Sequence, residues 1–85
     1  MARFELRFKS SVSKDLRKIP AKDVKRILER INRLADDPRA PGCISLQGQK
    51  YYRVRIGHYR VVYEIRDAEL VVLVITVAHR SRVYN

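Results

Sequence analysis

Apolar and charged residues alternate near the start of the chain, where Phe4, Leu6 and Phe8 are each followed by a charged side chain. A period of two is typical of a β-strand with one buried face. Ser10 and Ser11 follow the alternation, and serine can cap the first turn of a helix. The pattern therefore predicts an opening strand and a helix directly after it.

Apolar residues then recur near helical spacing. Val12, Leu16 and Ile19 predict a short helix over residues 11–18. Pro20 ends this helix, because the residue before a proline is driven out of the helical region.

A second and longer apolar stripe follows the proline. It consists of Val24, Ile27, Leu28, Ile31 and Leu34. The stripe predicts a helix that begins near Ala21 and is closed by Asp37-Pro38, with its apolar face on the core rather than on a membrane. Residues 38–49 are rich in proline and glycine and are predicted to form a loop.

Three strand-like segments make up most of the remaining chain, over residues 51–56, 59–66 and 70–78. The first two flank Gly57-His58, which is a two-residue hairpin signal. The last two flank Asp67-Ala68, which predicts a second tight connection.

The order of these elements predicts an α+β fold. A strand is followed by a two-helix hairpin and a three-strand antiparallel meander, with the helices packed on one face of a mainly antiparallel sheet. The 85 residues allow a single domain, 1–85. The helices can cover only one face of the sheet, which leaves the other face available for function.

A two-residue loop at Gly57-His58 fixes the register of the hairpin, and residues that pair directly share a face. One face is apolar and should meet the helices: Tyr52, Val54, Ile56, Tyr59, Val61 and Tyr63. The other face pairs Arg55 with Arg60, places Arg53 beside them, and holds Glu64 as its carboxylate.

Like charges directly opposite each other destabilise a sheet, so folding gains nothing from Arg55 facing Arg60. An anion held between them would turn this repulsion into a net attraction, because guanidinium groups match phosphate oxygens in bidentate geometry. The pattern indicates an anion site, and a solvated basic strand face is the alternative.

The overall charge points in the same direction. Nineteen Lys and Arg against nine Asp and Glu give a formal net charge of +10, which favours polyanions, above all nucleic acid. A small basic protein can also simply tolerate such charge, and an acidic protein partner would satisfy the same field. Cys43 is the only cysteine, which gives neither a disulfide framework nor a zinc site.

The sequence shows no signal-peptide pattern and no apolar run long enough to span a membrane. We therefore expect a cytoplasmic protein with no membrane partner.

The tail carries further candidate chemistry. Arg80 joins the arginines of the hairpin only if the turn at Asp67-Ala68 sets that register, which the sequence leaves open. Tyr84 has a hydroxyl that could exchange a proton, and neighbouring cations favour its phenolate. His79 alternates with Arg80 and is predicted to be structural, and His58 is predicted to be a turn residue.

These segments resemble the RelE toxins of the RelE/ParE superfamily. The run from Tyr52 to Tyr63 is similar to their central hairpin, and the tail from Val77 to Tyr84 is similar to their C-terminal motif. The break at Lys18-Ile19-Pro20 and the helix end at Asp37-Pro38 also fit. The resemblance implies a microbial-RNase-type fold and metal-independent cleavage of messenger RNA in the ribosomal A site, with no cofactor.

The resemblance also implies roles for individual residues. Arg60 and Arg80 would hold and neutralise the scissile phosphate, which the neighbouring RNA 2′-hydroxyl attacks. Arg53 and Arg55 would orient the RNA and stabilise charge. Tyr84 would assist proton transfer or stack on a base.

One departure from the family affects the chemistry. Relatives carry lysines where Arg53 and Arg55 stand, and arginine effectively cannot lose its proton. We therefore expect electrostatic roles for both, and Tyr84 becomes the best proton acceptor by elimination. Glu64 with His79 is a weaker acid–base candidate.

The resemblance implies partners as well. They are a cognate RelB-like antitoxin, the ribosome and messenger RNA, with operator DNA bound only through the antitoxin complex. Lys50 and Arg82 are assigned to RNA binding together with the hairpin arginines.

Two other functions remain open. A ParE-like inhibitor of DNA gyrase would share the fold but would not need phosphate-cleaving residues, and the presence of Arg60, Arg80 and Tyr84 together argues against it. A non-catalytic nucleic-acid-binding module, or a decayed toxin, is the third reading.

Overall fold

The computed structural model describes residues 3–46 and 50–79. Its helices and strands are β1 (Glu5–Phe8), α1 (Ser10–Arg17), α2 (Ala21–Leu34), β2 (Ile44–Ser45), β3 (Tyr51–Ile56), β4 (Tyr59–Arg66) and β5 (Val71–His79). The predicted helices and the four predicted strands are confirmed to within a few residues. Within this part of the chain, no helix is long and apolar enough to cross a membrane.

The strands form one sheet in the order β1-β5-β4-β3-β2. β1 runs parallel to β5, and the other neighbours are antiparallel. The helices pack against one face of this mainly antiparallel sheet, which confirms the predicted α+β architecture.

The short strand β2 was not predicted, because residues 38–49 read as a loop. Ile44 pairs with Arg53 and Ser45 pairs with Tyr52, at the edge of the sheet. Both residues of β2 are exposed. An edge strand with no buried face lacks the alternation by which a strand is recognised in a sequence.

The apolar faces of the helices and the sheet meet in one core. Its buried members are Val12, Ile27, Ile31, Leu34, Val54, Val61, Tyr63, Ile65, Val72, Val74 and Val77. All six apolar hairpin residues belong to this core or pack against it, as the register predicted. The hydroxyl of Tyr63 donates to the carbonyl oxygen of Pro38 at 2.7 Å, so its polar atom is satisfied in the core.

The two turns of the meander differ in kind. Gly57 has a φ of 60°, a left-handed conformation that glycine adopts at little cost and that the tight hairpin requires. The second connection is longer than the predicted Asp67-Ala68 loop: it is a 3-10 turn over Asp67–Glu69, followed by Leu70 with a φ of 54°. Arg39 donates to both carboxylate oxygens of Asp67, at 3.0 and 2.8 Å, and thereby ties this turn to the segment after α2.

Asp15 of α1 closes an open edge of β5. Because β1 pairs with β5 only as far as Val74, no strand within residues 3–46 and 50–79 pairs with the later residues of β5 on that side. The Asp15 carboxylate accepts hydrogen bonds there from the Val77 backbone N–H at 3.1 Å and from the Thr76 hydroxyl at 3.2 Å. These bonds hold α1 against the sheet.

We predict that Asp15→Ala lowers the free energy of unfolding by about 1–3 kcal/mol, because it removes the acceptor of a backbone N–H in a partly buried position. Urea denaturation measures the loss. Asp36→Ala is the matched control: Asp36 forms an exposed ion pair with Arg3, and such pairs contribute about 0–1 kcal/mol. Equal losses in the two variants would contradict the role given to Asp15.

Candidate nucleic-acid interface

The β3–β4 hairpin has the register that its two-residue turn predicts. Arg55 pairs with Arg60, and Arg53 pairs with Val62. Their neighbours Val54 and Val61 are buried beneath the helices, so the three arginines belong to the opposite side of the sheet. We call this side, with Arg53, Arg55 and Arg60, the arginine face.

The three arginines differ in accessibility. Arg55 is exposed and Arg53 is half-buried, whereas Arg60 is only 5% exposed. Strand alternation indicates the face on which a side chain lies but not what covers it, so the burial of Arg60 could not be predicted. The two more accessible guanidinium groups can bind a phosphate in bidentate geometry.

Glu64 is the buried carboxylate of the arginine face, at 4% exposure. Its Oε2 accepts a hydrogen bond from Arg66 Nε at 2.9 Å and forms an ion pair with Lys50 Nζ at 3.3 Å. The hydrogen bond from Arg66, and after it the contact with Lys50, hold the pKa of this carboxyl below its usual range, although burial opposes the shift. Glu64 is thus paired with two cations, Arg66 and Lys50.

Strand β5 continues the arginine face, because Ala78 pairs with Arg60. The face on which Ala78 lies could not be predicted from the sequence. A register shift between Val62 and Tyr63 changes the alternation along the pair of strands β4 and β5. The predicted site residues of the tail, Arg80, Arg82 and Tyr84, lie outside the described residues. Their roles therefore stay predictions.

The two histidines lie near each other and away from Glu64. His79 pairs with Tyr59, contacts that ring edge-on at 5.6 Å between centroids, and stacks on His58 at 6.0 Å. The hydroxyl of Tyr59 donates to Asp23 at 3.1 Å on the side of the helices. Because Glu64 stands on the arginine face, the register separates it from His79 and argues against an acid–base pair.

Sequence reasoning missed the network that joins Lys50, Glu64 and Arg66. The contact between Glu64 and Arg66 had a signal, because residues two apart on a strand share a face. The contact between Lys50 and Glu64 had no such signal, because Lys50 precedes β3 and the alternation of a strand does not place its side chain. Lys50 keeps a side chain that is 63% exposed and can still turn towards an anion.

Within residues 3–46 and 50–79, no three His, Cys, Asp or Glu side chains gather where they could hold a metal ion. Cys43 is partly buried, and its Sγ accepts a long contact of 3.7 Å from Arg30.

Comparisons with known proteins agree with this geometry. A family model described as the ParE toxin of type II toxin–antitoxin systems matches residues 6–84. A RelE-like toxin protein of Escherichia coli is 26% identical over 88 residues, which cover 98% of this chain and 92% of the relative.

Two solved structures extend the comparison. A chain in the RelBE2 toxin–antitoxin complex of Mycobacterium tuberculosis is 26% identical, with a TM-score of 0.82 over 93% of this chain and 100% of that one. The isolated RelE toxin of Escherichia coli is 31% identical, with a TM-score of 0.76 over 98% of this chain and 92% of that one.

The fold is thus that of a small RelE-like toxin. The chain belongs to the RelE/ParE superfamily of toxins from type II toxin–antitoxin systems. The resemblance noted in the sequence is confirmed at this level.

The ion pairs of Glu64 predict a pH-dependent stability. Because its folded pKa is lowered, the carboxylate stabilises the fold at neutral pH, and this stabilisation is lost as the pH falls below the unfolded value of about 4.3. Glu64→Gln should therefore be less stable than the parent by about 1–2 kcal/mol at pH 7. The gap should close in acid, as measured by urea denaturation from pH 7 to pH 3.

Glu29→Gln is the control for this experiment, because Glu29 is exposed on α2. It should change stability little at any pH. A gap for Glu64→Gln that stays constant from pH 7 to pH 3 would show that the ion pairs contribute no stability.

Proposed function

We propose that this toxin is an endoribonuclease that cleaves messenger RNA in the ribosomal A site. The observation that supports the proposal is the direct pairing of Arg55 with Arg60, with Arg53 beside them on the same face. Like charges at this spacing weaken a sheet, whereas a phosphate between them is bound by both guanidinium groups. An RNA backbone supplies such phosphates along its length.

In the proposed reaction the 2′-oxygen of one nucleotide attacks the adjacent phosphorus. The 2′-O–P bond forms while the P–O5′ bond breaks, which leaves a 2′,3′-cyclic phosphate and a 5′-hydroxyl. One proton leaves the 2′-hydroxyl and one reaches the 5′-oxygen. Negative charge grows on the phosphate oxygens in the transition state, so fixed cations stabilise it more than the ground state. The step itself needs neither a metal nor a redox cofactor.

Each site residue has one role in this proposal. Arg60 and Arg80 neutralise the scissile phosphate, and Arg53 and Arg55 orient the RNA backbone. Tyr84 accepts the proton or stacks on a base, since arginine does not release a proton.

Two cations act under constraints. Arg60 is 5% exposed, so RNA reaches its guanidinium only when the groups over it move aside. Lys50 exchanges its ion pair with Glu64 for a phosphate, and Arg82 adds a further backbone contact. In this proposal the binding of RNA therefore rearranges the side chains around Arg60 and Lys50.

The proposed partner is a RelB-like antitoxin. The similar structures from Mycobacterium tuberculosis and Escherichia coli include toxin–antitoxin complexes. The antitoxin would cover the arginine face or displace the tail, and operator DNA would be bound only through the complex. The toxin acts in the cytoplasm in this proposal, because its substrate is on the ribosome.

We predict that the purified chain halts translation in vitro and leaves transcripts cut within codons, as mapped by primer extension. Arg60→Ala should abolish cutting. Arg55→Ala, at an exposed position, should keep the fold and reduce the rate about 10²-fold, the effect of removing one group that stabilises a developing oxyanion.

Arg33→Ala is the matched control, since Arg33 is exposed on α2 and lies on the other side of the sheet. It should cut like the parent chain. Intact transcripts with the parent chain, or equal losses for Arg33→Ala and Arg55→Ala, would refute the proposed site.

Inhibition of DNA gyrase is the second candidate, because the matching family model is that of the ParE toxins. We predict that the chain leaves supercoiling by purified gyrase unchanged at concentrations that stop translation. Inhibited supercoiling together with intact transcripts would favour the ParE-like function instead.

A further inference from the structure

Four tyrosines lie on the β3–β4 hairpin, and three of them are engaged on the side of the helices. Tyr52 accepts a hydrogen bond from Arg39 Nε at 3.1 Å and stacks on Tyr63 at 6.0 Å between ring centroids. The hydroxyls of Tyr59 and Tyr63 donate to acceptors in α2 or just after it. These three side chains therefore belong to the core and its borders.

Tyr51 is the fourth tyrosine, and it differs from the others. It pairs with Glu64 and alternates with Tyr52, so its side chain lies on the arginine face. The ring is half-buried and keeps part of its surface in solvent. Among the residues that the structure describes, none hydrogen-bonds to its hydroxyl, and neither an aromatic ring nor a guanidinium group stacks on its ring. The fold therefore leaves this ring available to a ligand.

Cations surround Tyr51 on the arginine face. Lys50 directly precedes it and has a side chain that is 63% exposed. Arg53 follows on the same side of β3, about 7 Å along the strand. The hydrogen bond to Glu64 raises the pKa of Arg66 above its ordinary value, and the nearby Tyr51 hydroxyl makes a smaller contribution through its charge. An aromatic ring among cations is the combination by which proteins bind single-stranded nucleic acid.

We propose that Tyr51 stacks on an unpaired base of the RNA while Arg53 binds a phosphate of the same backbone. The inference rests on the proposed function, since it takes RNA to lie along the arginine face. Stacking requires a base that is free of a complementary strand, so the RNA is single-stranded at this point. Every base has a π-face, and Tyr51 therefore contributes affinity without selecting one base.

The helix side of the sheet provides a matched aromatic control. Phe8 is 45% exposed and Leu28 is 39% exposed, and both line a groove where the end of β1 meets the helices. The sequence placed Leu28 in the stripe that faces the core, so its exposure is a correction: the stripe is wider than the surface that the sheet can cover. Phe8 is thus an accessible aromatic ring on the side away from the arginine face.

Two labelled oligonucleotides separate stacking from charge. One is a short single-stranded 2′-O-methyl uridylate, and the other is an abasic chain with the same backbone and the same number of phosphates. Neither has the free 2′-hydroxyl that cleavage needs. Fluorescence anisotropy with the full chain should show about tenfold tighter binding of the base-bearing oligonucleotide, which is the effect of one stacked base.

Three variants test whether this preference comes from Tyr51. Tyr51→Leu should lose the preference but bind the abasic chain like the parent, because leucine is apolar but has no aromatic face. Tyr51→Phe should keep the preference, since the ring and not the hydroxyl stacks. Phe8→Leu should keep it as well.

Four results of the binding assay would overturn the proposal. They are no binding of the base-bearing oligonucleotide, equal binding of the two oligonucleotides by the parent chain, a preference that survives in Tyr51→Leu, and equal losses for Tyr51→Leu and Phe8→Leu. A Tyr51→Leu chain that binds both oligonucleotides more weakly by the same factor would show a structural role instead.

The chain contains no tryptophan, which allows the stacking to be observed directly. Tyr51→Trp introduces a single indole, and its fluorescence should be quenched by the base-bearing oligonucleotide but not by the abasic chain. Phe8→Trp should be quenched by neither. Equal quenching at the two positions, or equal quenching of Tyr51→Trp by the two oligonucleotides, would contradict a base stacked on residue 51.

The translation assay separates this inference from the proposed function. Tyr51→Leu should raise the KM for programmed ribosomes about tenfold with little change in kcat, because stacking binds the ground state and the transition state alike. A parent chain that prefers the base-bearing oligonucleotide through Tyr51 but never cuts messenger RNA would refute the proposed function and leave the stacking site intact. A chain that cuts messenger RNA but shows no such preference would refute the stacking site alone.

Discussion

The register of the β3–β4 hairpin constrains both the core and the candidate site. The tight turn at Gly57 pairs Val54 with Val61 on the side of the helices and Arg55 with Arg60 on the other. A slip of one residue would turn the arginines into the core and the valines into water. Burial of the apolar face therefore holds the cations together, although their mutual repulsion opposes it. Hydrophobic burial outweighs the repulsion between the arginines, and a bound anion would reduce that repulsion.

Much of this arrangement could be predicted because it depends on local rules. Two-residue alternation and the Gly57-His58 turn specify the pairing of β3 with β4 without reference to the rest of the chain. Features that depend on packing could not be predicted in this way. The edge strand β2 has no buried face, the burial of Arg60 depends on what lies over the sheet, and the face of Ala78 depends on an irregularity between Val62 and Tyr63.

The positive charge of the chain is divided between two sides of the sheet. On the arginine face, Glu64 is paired with Arg66 and Lys50, and Arg55 is exposed. On the helices, the acids are directed towards β5 and Tyr59. A net charge of +10 thus reflects two surfaces with different chemistry. One surface carries the paired arginines of the hairpin, and the other carries the exposed cations of the helices beside an apolar groove.

The proposed function depends most on the contact between RNA and the arginine face. NMR spectra of the arginine side-chain Nε–H groups, recorded while a short single-stranded RNA with a 2′-deoxy substitution at the cleavage position is added, test this contact directly. We expect the signals of Arg53, Arg55 and Arg60 to shift together and to saturate, while those of Arg26 and Arg33 on the helices stay in place. Shifts confined to the helical arginines would contradict the assignment of this sheet face to RNA.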